Sequence, residues 1–188
     1  GKIRSTTNNH FWFDTLRGAN RLISNSTGAE SDYSTWFSTL TSDGFRVSGG
    51  TYNNNSSTFV AWQWKANGSG SSNTDGSITS TVSANVDAGF SIINFQGNQT
   101  AGATVGHGLG KKPTMIIVKN RDSGVQDWPV QHGSIGATGQ MVLSSTAANN
   151  ANIVYWNNTE PTSSVFSLGT SNNTNQSGNS HVAYVFTD

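Results

Sequence analysis

Cysteine is absent from the 188 residues, and proline occurs only 3 times. Without cysteine the chain can form no disulfide scaffold, no Cys-ligated zinc or iron–sulfur site and no thiol nucleophile. The 10 basic residues balance 10 acidic residues, so the formal net charge is zero and an electrostatic nucleic-acid surface is excluded. No run of 18 apolar residues occurs, so no membrane span is expected, and the first five residues lack the apolar core of a signal peptide. We therefore expect either another export route or removal of a leader.

Helix-forming residues are also scarce. Leu occurs 6 times, whereas Asn, Ser and Thr together contribute 71 residues and Gly a further 21. Small, polar and turn-forming residues thus make up almost half of the chain, which is typical of short strands joined by turns. The 19 aromatic residues and the zero net charge indicate that the chain folds. The composition predicts an all-β protein and resembles that of extracellular appendages and virion fibres.

The chain repeats part of itself. Residues 59–64 match residues 181–186, with a shared Val-Ala followed by aromatic residues at the same two alternate positions. Residues 42–47 match residues 163–168, and each of these segments is followed by a loop of Gly, Asn and Ser. Shorter matches join residues 22–27 to 141–146, Gly18-Ala19 to Gly136-Ala137, and Arg4 to Arg121. The spacing drifts slowly from 117 to 122 residues, as small loop insertions would produce.

The repeat divides the chain into one and a half units. Residues 77–188 form a complete unit, residues 1–66 correspond to its C-terminal half, and residues 67–76 read as a Gly/Ser/Asn-rich linker or long loop. The first unit has no counterpart of residues 88–95 and 113–118, the two most apolar segments, which we predict to be central strands.

Period-two alternation over residues 78–86 predicts a half-buried strand. Residues 31–40 could form one short helix, but their repeat partner, residues 150–159, is rich in β-branched and aromatic residues, so both are predicted as strands. Further strands are predicted at residues 60–64, 140–144, 153–156, 165–168 and 182–186.

Together these segments predict an antiparallel β-sandwich or jelly roll, with over 40% strand and under 10% helix. The residues expected to be largely buried are Phe90, Ile92, Ile116, Val118, Val182, Tyr184 and Phe186. We also expect the two units to superpose, with Trp62 over Tyr184 and Trp64 over Phe186.

One stretch resembles a known family. Residues 104–121 contain Gly106-His107-Gly108-Leu109-Gly110, then Pro113 and the apolar strand Met115-Ile116-Ile117-Val118-Lys119-Asn120-Arg121, and the unit closes on Val182-Ala183-Tyr184-Val185-Phe186. This pattern resembles the β-rich repeat of unknown function found in tail-fibre and other structural proteins of marine bacteriophages and in bacterial surface proteins. The resemblance covers nearly all of residues 88–188, and residues 1–66 are similar to the C-terminal part of the same repeat. It implies an architectural or adhesive role and no catalytic residues.

No catalytic, cofactor or metal site is predicted. The glycines around His107 precede a strand rather than a helix, so they predict a tight turn and not a phosphate loop. The histidines (His10, His107, His132, His181) are scattered without metal-ligand spacing, and there is no Gly-x-Ser-x-Gly motif. Glu30 and Glu160 do not suggest a glycosidase pair, and Asp122 with Asp127 is only a mild calcium candidate.

The tryptophans divide into two groups. Trp62 and Trp64 share one strand face and are predicted to be core residues, like Tyr184 and Phe186. Trp12, Trp36 and Trp128 adjoin polar loop residues, so we expect them to be more exposed and able to stack on sugar rings.

The half repeat suggests assembly. It would leave open strand edges and an uncovered apolar face that includes Phe45, Val47, Val60 and Trp64. Either the second unit covers this face within the chain, or a segment of another copy does so. We favour the second possibility, through residues 2–13 or 77–86. The assembly residues would be Ile3, Phe11, Phe13, Ile78, Val82 and Val86.

These observations favour a non-enzymatic structural subunit of an extracellular or virion fibre. Its partners would be other copies of itself, joined head to tail. The alternative is a carbohydrate-binding adhesin or phage receptor-binding module that recognises cell-surface glycans. A glycan hydrolase is the third possibility.

Overall fold

The computed structural model describes all 188 residues. The strands are β1 (Lys2–Ile3), β2 (Phe11–Asp14), β3 (Gly18–Ile23), β4 (Ser31–Asp32), β5 (Phe37–Leu40), β6 (Phe45–Val47), β7 (Phe59–Val60), β8 (Ser71–Asn73), β9 (Ser80–Asn85), β10 (Phe90–Gln96), β11 (Ala103–Gly106), β12 (Met115–Asn120), β13 (Pro129–His132), β14 (Gly139–Val142), β15 (Asn150–Ala151), β16 (Val165–Leu168) and β17 (Ser180–Phe186). The helices are α1 (Ile153–Trp156), α2 (Asn172–Asn175) and a 3₁₀ turn at Gly50–Asn53. The all-β prediction is confirmed.

An eight-stranded antiparallel sheet dominates the second unit, in the order β15-β14-β13-β12-β17-β10-β9-β8. Strand β17 lies between β10 and β12, the two strands that the sequence predicts to be central. Both faces of this region are covered by protein, which is why β10 and β12 are apolar in almost continuous runs.

Two apolar clusters cover the two faces of the large sheet. On the first face, β11, β16 and α1 pack through residues such as Val105, Phe166 and Trp156. On the second face, Leu22 of the β2–β3 hairpin packs with Ile117 and other residues of the sheet. The predicted core residues Phe90, Ile92, Ile116, Val118, Val182 and Tyr184 are buried, and Phe186 is partly buried. The large sheet is therefore the middle layer of a sandwich, with β11, β16 and α1 on one face and the β2–β3 hairpin of the first unit on the other.

The two units repeat the same strand register. In β1 and β7, Lys2 pairs with Val60, and in β12 and β17 the counterpart Lys119 pairs with Val182. The next pairs along are Ile3 with Phe59 and Asn120 with His181. One step further, the backbone N–H of Arg4 donates to Thr58 O (2.8 Å) and that of Arg121 donates to Ser180 O (2.9 Å). The repeat seen in the sequence is thus a repeat of backbone hydrogen bonds.

The next two ladders agree in the same way. Phe11 pairs with Ile23 as Pro129 pairs with Val142, and Asn20 pairs with Asp32 as Gly139 pairs with Ala151. The first unit therefore contains the arrangement β4-β3-β2, with β1 beside β7, that corresponds to β15-β14-β13, with β12 beside β17, in the second unit.

The predicted strand at residues 60–64 is mostly wrong. Strand β7 ends at Val60, and Trp62 and Trp64 are 63% and 54% exposed rather than buried. Their counterparts Tyr184 and Phe186 are held between β10 and β12, and the first unit has no counterpart of β10 and only the last residues of β12. Burial at these positions depends on neighbouring strands, so the alternating pattern alone does not predict it.

The strand prediction at residues 153–156 is also wrong, because these residues form α1. The Asn152 side chain accepts a hydrogen bond from the Val154 N–H at the start of the helix, and Asn157 ends it in a left-handed conformation with φ 54°. Residues 31–40, the partner segment, form β4 and β5 around a turn at Tyr33, with no helix.

Two smaller differences concern strand content and the linker. The strands are short and cover just over a third of the chain, which is less than the predicted 40%. Within residues 67–76, Ser71–Asn73 form β8, which pairs with β9 at the edge of the large sheet.

Candidate functional site

The most elaborate constellation of side chains lies where the two units meet. The β2–β3 hairpin of the first unit lies on the second face of the large sheet, where Leu22 is fully buried. The Trp12 ring lies 4.9 Å from the Tyr184 ring and 5.6 Å from the Trp128 ring, centroid to centroid. Aromatic contacts at this separation add to the free energy gained from apolar burial. The hairpin is therefore packed firmly against the second unit.

Both units use the same face in this contact. Trp12 pairs with Leu22 in the first unit, and their counterparts in the second unit, Val130 and Met141, pair in the same way. All four side chains belong to one apolar cluster. The units are therefore stacked face to face, and neither face is left available for a further unit.

A buried ion network centred on Arg17 lies within this contact. Arg17 Nε donates to Asp14 Oδ2 (2.6 Å), Nη1 donates to Glu30 Oε2 (2.9 Å), and Nη2 donates to the Tyr184 hydroxyl (3.0 Å). The Tyr184 hydroxyl in turn donates to Asp14 Oδ2 (2.7 Å). Burial acts to lower the pKa of Arg17. The neighbouring Tyr184, Asp14 and Glu30 side chains raise it by more, so the guanidinium stays charged. Burial raises the pKa of Tyr184 well above its ordinary value.

Glu30 extends the network to the rim of the contact. Its carboxylate accepts two hydrogen bonds from Arg121, at 2.9 and 2.7 Å, as well as the one from Arg17. Asp14 and Glu30 therefore balance Arg17 and Arg121, and every charge has an opposite charge beside it. Such a network requires a defined relative position of the two units, because both Tyr184 and Arg121 belong to the second unit.

Lys119 makes a second polar link between the units. Its Nζ donates to Thr27 O (2.8 Å) in the first unit and to Gln126 O (2.6 Å) in the second. Burial lowers the pKa of Lys119 to about 8. In the first unit, the counterpart Lys2 donates to Asn8 O at 3.4 Å, which repeats the second of these bonds.

No sequence pattern predicts this network. Asp14, Arg17 and Glu30 belong to no recognised motif, and their distance in sequence from Tyr184 hides their proximity. The only indication of the network is the composition. Only 11% of the residues are charged, so the charged residues Asp14 and Arg17 within one short hairpin are noticeable.

The three tryptophans proposed for glycan stacking do not form one surface. Trp128 is fully buried, and its indole N–H donates to Ile23 O (3.0 Å) and Ser26 O (3.1 Å), so the expectation that it is exposed is wrong. The first unit provides both acceptors, which the sequence around Trp128 could not reveal. Trp12 packs on the second unit, and Trp36 lies elsewhere, 5.1 Å from the Tyr33 ring.

The segments proposed for pairing between copies are largely used within the chain. Strand β9, in residues 77–86, pairs with β10 on one side and β8 on the other, and β1 and β2 pair with β7 and β3. Of the proposed assembly residues, Ile3, Phe11, Ile78 and Val82 are buried, Phe13 stacks on Phe37 at 3.9 Å, and Val86 is exposed. These segments are therefore not free donors, because the chain's own ladders already hold them.

The glycine-rich segment around His107 forms a buried turn. His107 Nδ1 accepts a hydrogen bond from the Leu109 N–H at 3.3 Å, and Nε2 lies 3.3 Å from Thr162 O. Gly108 and Gly110 each have φ +70°, the left-handed conformation that glycine adopts without strain. His181, in β17, stacks on Phe95 at 5.2 Å, and burial lowers its pKa to about 4.

The remaining acidic candidates are engaged separately. The Glu160 carboxylate pairs with Lys112 Nζ at 2.9 Å and shares no partner with the Glu30 network. Asp122 Oδ2 accepts from the Ser180 N–H (2.7 Å), and Asp127 Oδ1 accepts from the Ser144 hydroxyl (3.1 Å). No group of three or more His, Asp or Glu side chains is placed to hold a metal ion.

None of the helices is long and apolar enough to span a membrane.

One open depression lies beside the unit contact. It has a volume of about 300 Å³ and is lined mainly by hydroxyl and amide side chains, including Thr79, Thr81, Asn94 and Gln96, with Arg121 at one side. Phe95 is its only apolar lining residue.

Large exposed aromatic side chains occur only in the first unit. They are Phe45, Phe59, Trp62 and Trp64, between 40% and 63% exposed, and three of them fall within six consecutive residues. The exposed apolar residues of the second unit are aliphatic and separate in sequence: Val86, Val125, Leu143 and Ile153. The segment at residues 59–64 is thus an aromatic surface at the end of a two-residue strand.

Comparison with curated proteins gives no match, and comparison with solved structures gives none. Comparison with protein families gives one match, which covers residues 1–188 and so includes both units and the segment between them. The chain belongs to the family described as "Domain of unknown function (DUF7483)".

Proposed function

We propose that the chain is a structural, non-enzymatic module of an extracellular or virion fibre. The observation that carries the proposal is the contact between the two units. A flexible linker would let the units move independently, whereas here Arg17, Tyr184 and Glu30 form a buried network across a packed apolar layer. Repeat units that share a fold and are fixed to one another are how rods and fibres are commonly built.

Extension of the fibre would use strand edges. Because the two units already bury their equivalent faces against each other, a further copy must attach elsewhere. The aromatic surface at residues 59–64 is an edge of this kind, and copies that join there head to tail would form a filament. The partners in this proposal are other copies of the chain, outside the cell or on a virion.

Electron microscopy with analytical ultracentrifugation over a wide range of protein concentration tests the proposal. We expect elongated particles that lengthen with concentration in the native chain. The double variant Trp62→Ser/Trp64→Ser should form far fewer of them. Val125→Ser is the matched control, since Val125 is 77% exposed but lies in the second unit, and it should assemble like the native chain. Native protein that stays a compact monomer at every concentration would contradict the proposal.

The exposed indoles also favour a second candidate, a carbohydrate-binding adhesin. Trp62 and Trp64 present aromatic surface at alternate positions, and such rings can stack on sugars. Trp36 is the only one of the three tryptophans first proposed that retains partial exposure without packing on the second unit. A glycan array probed with the native chain and with Trp62→Ser/Trp64→Ser tests this candidate. Specific binding that the variant loses, from a chain that forms no filaments, would favour the adhesin over the fibre.

A further inference from the structure

The backbone of residues 61–64 is unpaired. None of its N–H or carbonyl groups takes part in a hydrogen bond within the chain, although the preceding residue, Val60, is in register with Lys2. In the second unit, the counterpart residues 183–186 pair with β10 on one side and β12 on the other. The same stretch of the repeat is therefore a central strand in one unit and an open segment in the other.

The second unit shows which side chains complete this segment. Opposite Phe186 lies Phe90 with its ring 4.9 Å away, and opposite Tyr184 lies Ile92. Opposite His181 lies Phe95, whose ring stacks on the imidazole. Transferred through the matching registers, Phe90, Ile92 and Phe95 would face Trp64, Trp62 and Phe59, respectively.

The residues at the open segment suit this arrangement. Phe59 replaces His181, so an aromatic ring is again available to stack on a phenylalanine of the facing strand. Ala61 matches Ala183, which has no exposed surface and leaves room for the layer beneath the sheet. Trp62 and Trp64 replace Tyr184 and Phe186 and keep the large apolar surface of those positions.

We propose that residues 59–64 form an acceptor for a segment with the sequence character of residues 77–117, supplied by another unit of this repeat. Such a segment contains the counterparts of β9, β10 and the first half of β12, so it would pair with residues 61–64 along both edges. It would cover Phe59, Trp62 and the part of Trp64 that is not already packed on Phe90 and Phe186 of the second unit, and it would convert the open segment into a central strand. This is the edge through which we propose that the fibre extends, but the acceptor role requires only the repeat and not a fibre.

The register also fixes how the segment can be joined for a test. Gly1 and Phe11 exchange backbone hydrogen bonds of 2.7 and 2.8 Å. This pair lies where Val118 and Pro129 would continue the β12–β13 ladder, since Ile117 pairs with Val130. Gly1 thus occupies the position of Val118. A second copy of residues 77–117 placed directly before Gly1 would therefore enter the first unit in the correct register without a linker.

Hydrogen exchange of the backbone amides of residues 61–64, measured by mass spectrometry, tests the proposal. In the native chain at low concentration, the amides of residues 61–64 should exchange rapidly. In the extended chain they should exchange slower by on the order of 100-fold, because they would form ladder hydrogen bonds. Iodide quenching of tryptophan fluorescence should fall in parallel, since Trp62 and Trp64 would be covered. Neither readout depends on filaments, so the acceptor and the fibre can fail separately.

A matched control extends the chain with the same segment carrying Ser91→Pro and Ile93→Pro in the added copy only, because the N–H groups of Ser91 and Ile93 lie on the edge of β10 that faces β17. Proline cannot donate to the ladder, so the added β10-type strand cannot pair and residues 61–64 should exchange as rapidly as in the native chain. Equal exchange in the extended chain and in this control would overturn the proposal. Protection of residues 61–64 by a soluble oligosaccharide but not by the added segment would assign the edge to a sugar, and would also overturn it.

Discussion

Replacement of Arg17 by methionine should destabilise the protein strongly. The Arg17 side chain has no exposed surface, and besides its bonds to Asp14, Glu30 and Tyr184 it donates to the carbonyls of Asn20 (3.0 Å) and Trp12 (3.3 Å). Methionine can fill much of the volume but supplies none of these donors. The loss therefore measures the ion network rather than a cavity.

The magnitude follows from the partners that remain. Glu30 keeps its two bonds to Arg121, whereas Asp14, which is only 4% exposed, keeps no cation. Removing one partner of a buried ion pair leaves an uncompensated charge and costs about 3–5 kcal/mol. We expect a decrease of that size in the free energy of unfolding of Arg17→Met, measured by urea denaturation at neutral pH.

Two further variants make the reasoning testable. Arg46→Met is the matched control, because Arg46 is exposed and forms no ion pair, and it should change the free energy of unfolding by less than about 0.5 kcal/mol. In the double variant Asp14→Asn/Arg17→Met the stranded charge is gone, so the double loss should be smaller than the sum of the single losses. A loss below about 1 kcal/mol for Arg17→Met, or strictly additive losses, would refute the account given for the network.

Three more changes have expected outcomes. Trp128→Phe should lower the free energy of unfolding by about 2 kcal/mol, because two buried carbonyls lose their donor, whereas Trp62→Phe should change it by less than about 0.5 kcal/mol; equal effects in urea denaturation would contradict the burial described. Because folding lowers the pKa of His181 from 6.5 to about 4, the unfolded chain binds more protons in this window, and the protein should lose stability as pH falls through it. His181→Phe should remove on the order of 3 kcal/mol of that loss, measured by thermal unfolding against pH, and an unchanged profile would argue against the shift. Folding also lowers the pKa of Lys119 from 10.5 to about 8, so the native chain should gain stability relative to Lys119→Met as pH rises through this range; parallel profiles would show that Lys119 is not desolvated.

The sequence predicted the large sheet well. Residues 88–95 and 113–118 are apolar on both strand faces, and only a strand covered on both sides tolerates that composition. They correspond to β10 and β12, on either side of β17. The repeat was also visible, and its spacing agrees with the strand registers, because a shared Val-Ala and shared turn residues survive where most other positions differ.

The errors have physical reasons. Alternation at Trp62 and Trp64 shows which residues share a face, but not whether neighbouring strands exist to bury that face. At residues 153–156 the β-branched side chains favour a strand, yet Asn152 and Asn157 cap a short helix. Capping is a local effect that composition conceals.

The unit contact could not be predicted from the sequence. Trp128 is flanked by polar residues, which made it look exposed, but a hairpin more than 100 residues earlier covers it. The same holds for Arg17 and Tyr184, whose separation of 167 residues leaves no local pattern. Contacts between side chains of two units leave no local sequence pattern, so only the structure shows them.

The matching registers of the two units make the chain prone to one particular misfolding error. While it folds, β1 could pair with β17 in place of β12, since the backbone ladder would accept either strand, and exchange of equivalent elements is a characteristic failure of repeat proteins. The residues that differ between the units oppose this exchange. Asn120 donates to Asn172 O and Gln176 Oε1, acceptors that only the second unit offers, whereas its counterpart Ile3 is buried and apolar. Divergence between the repeats therefore discriminates against wrong pairings, and a chain with two identical units would lack that protection.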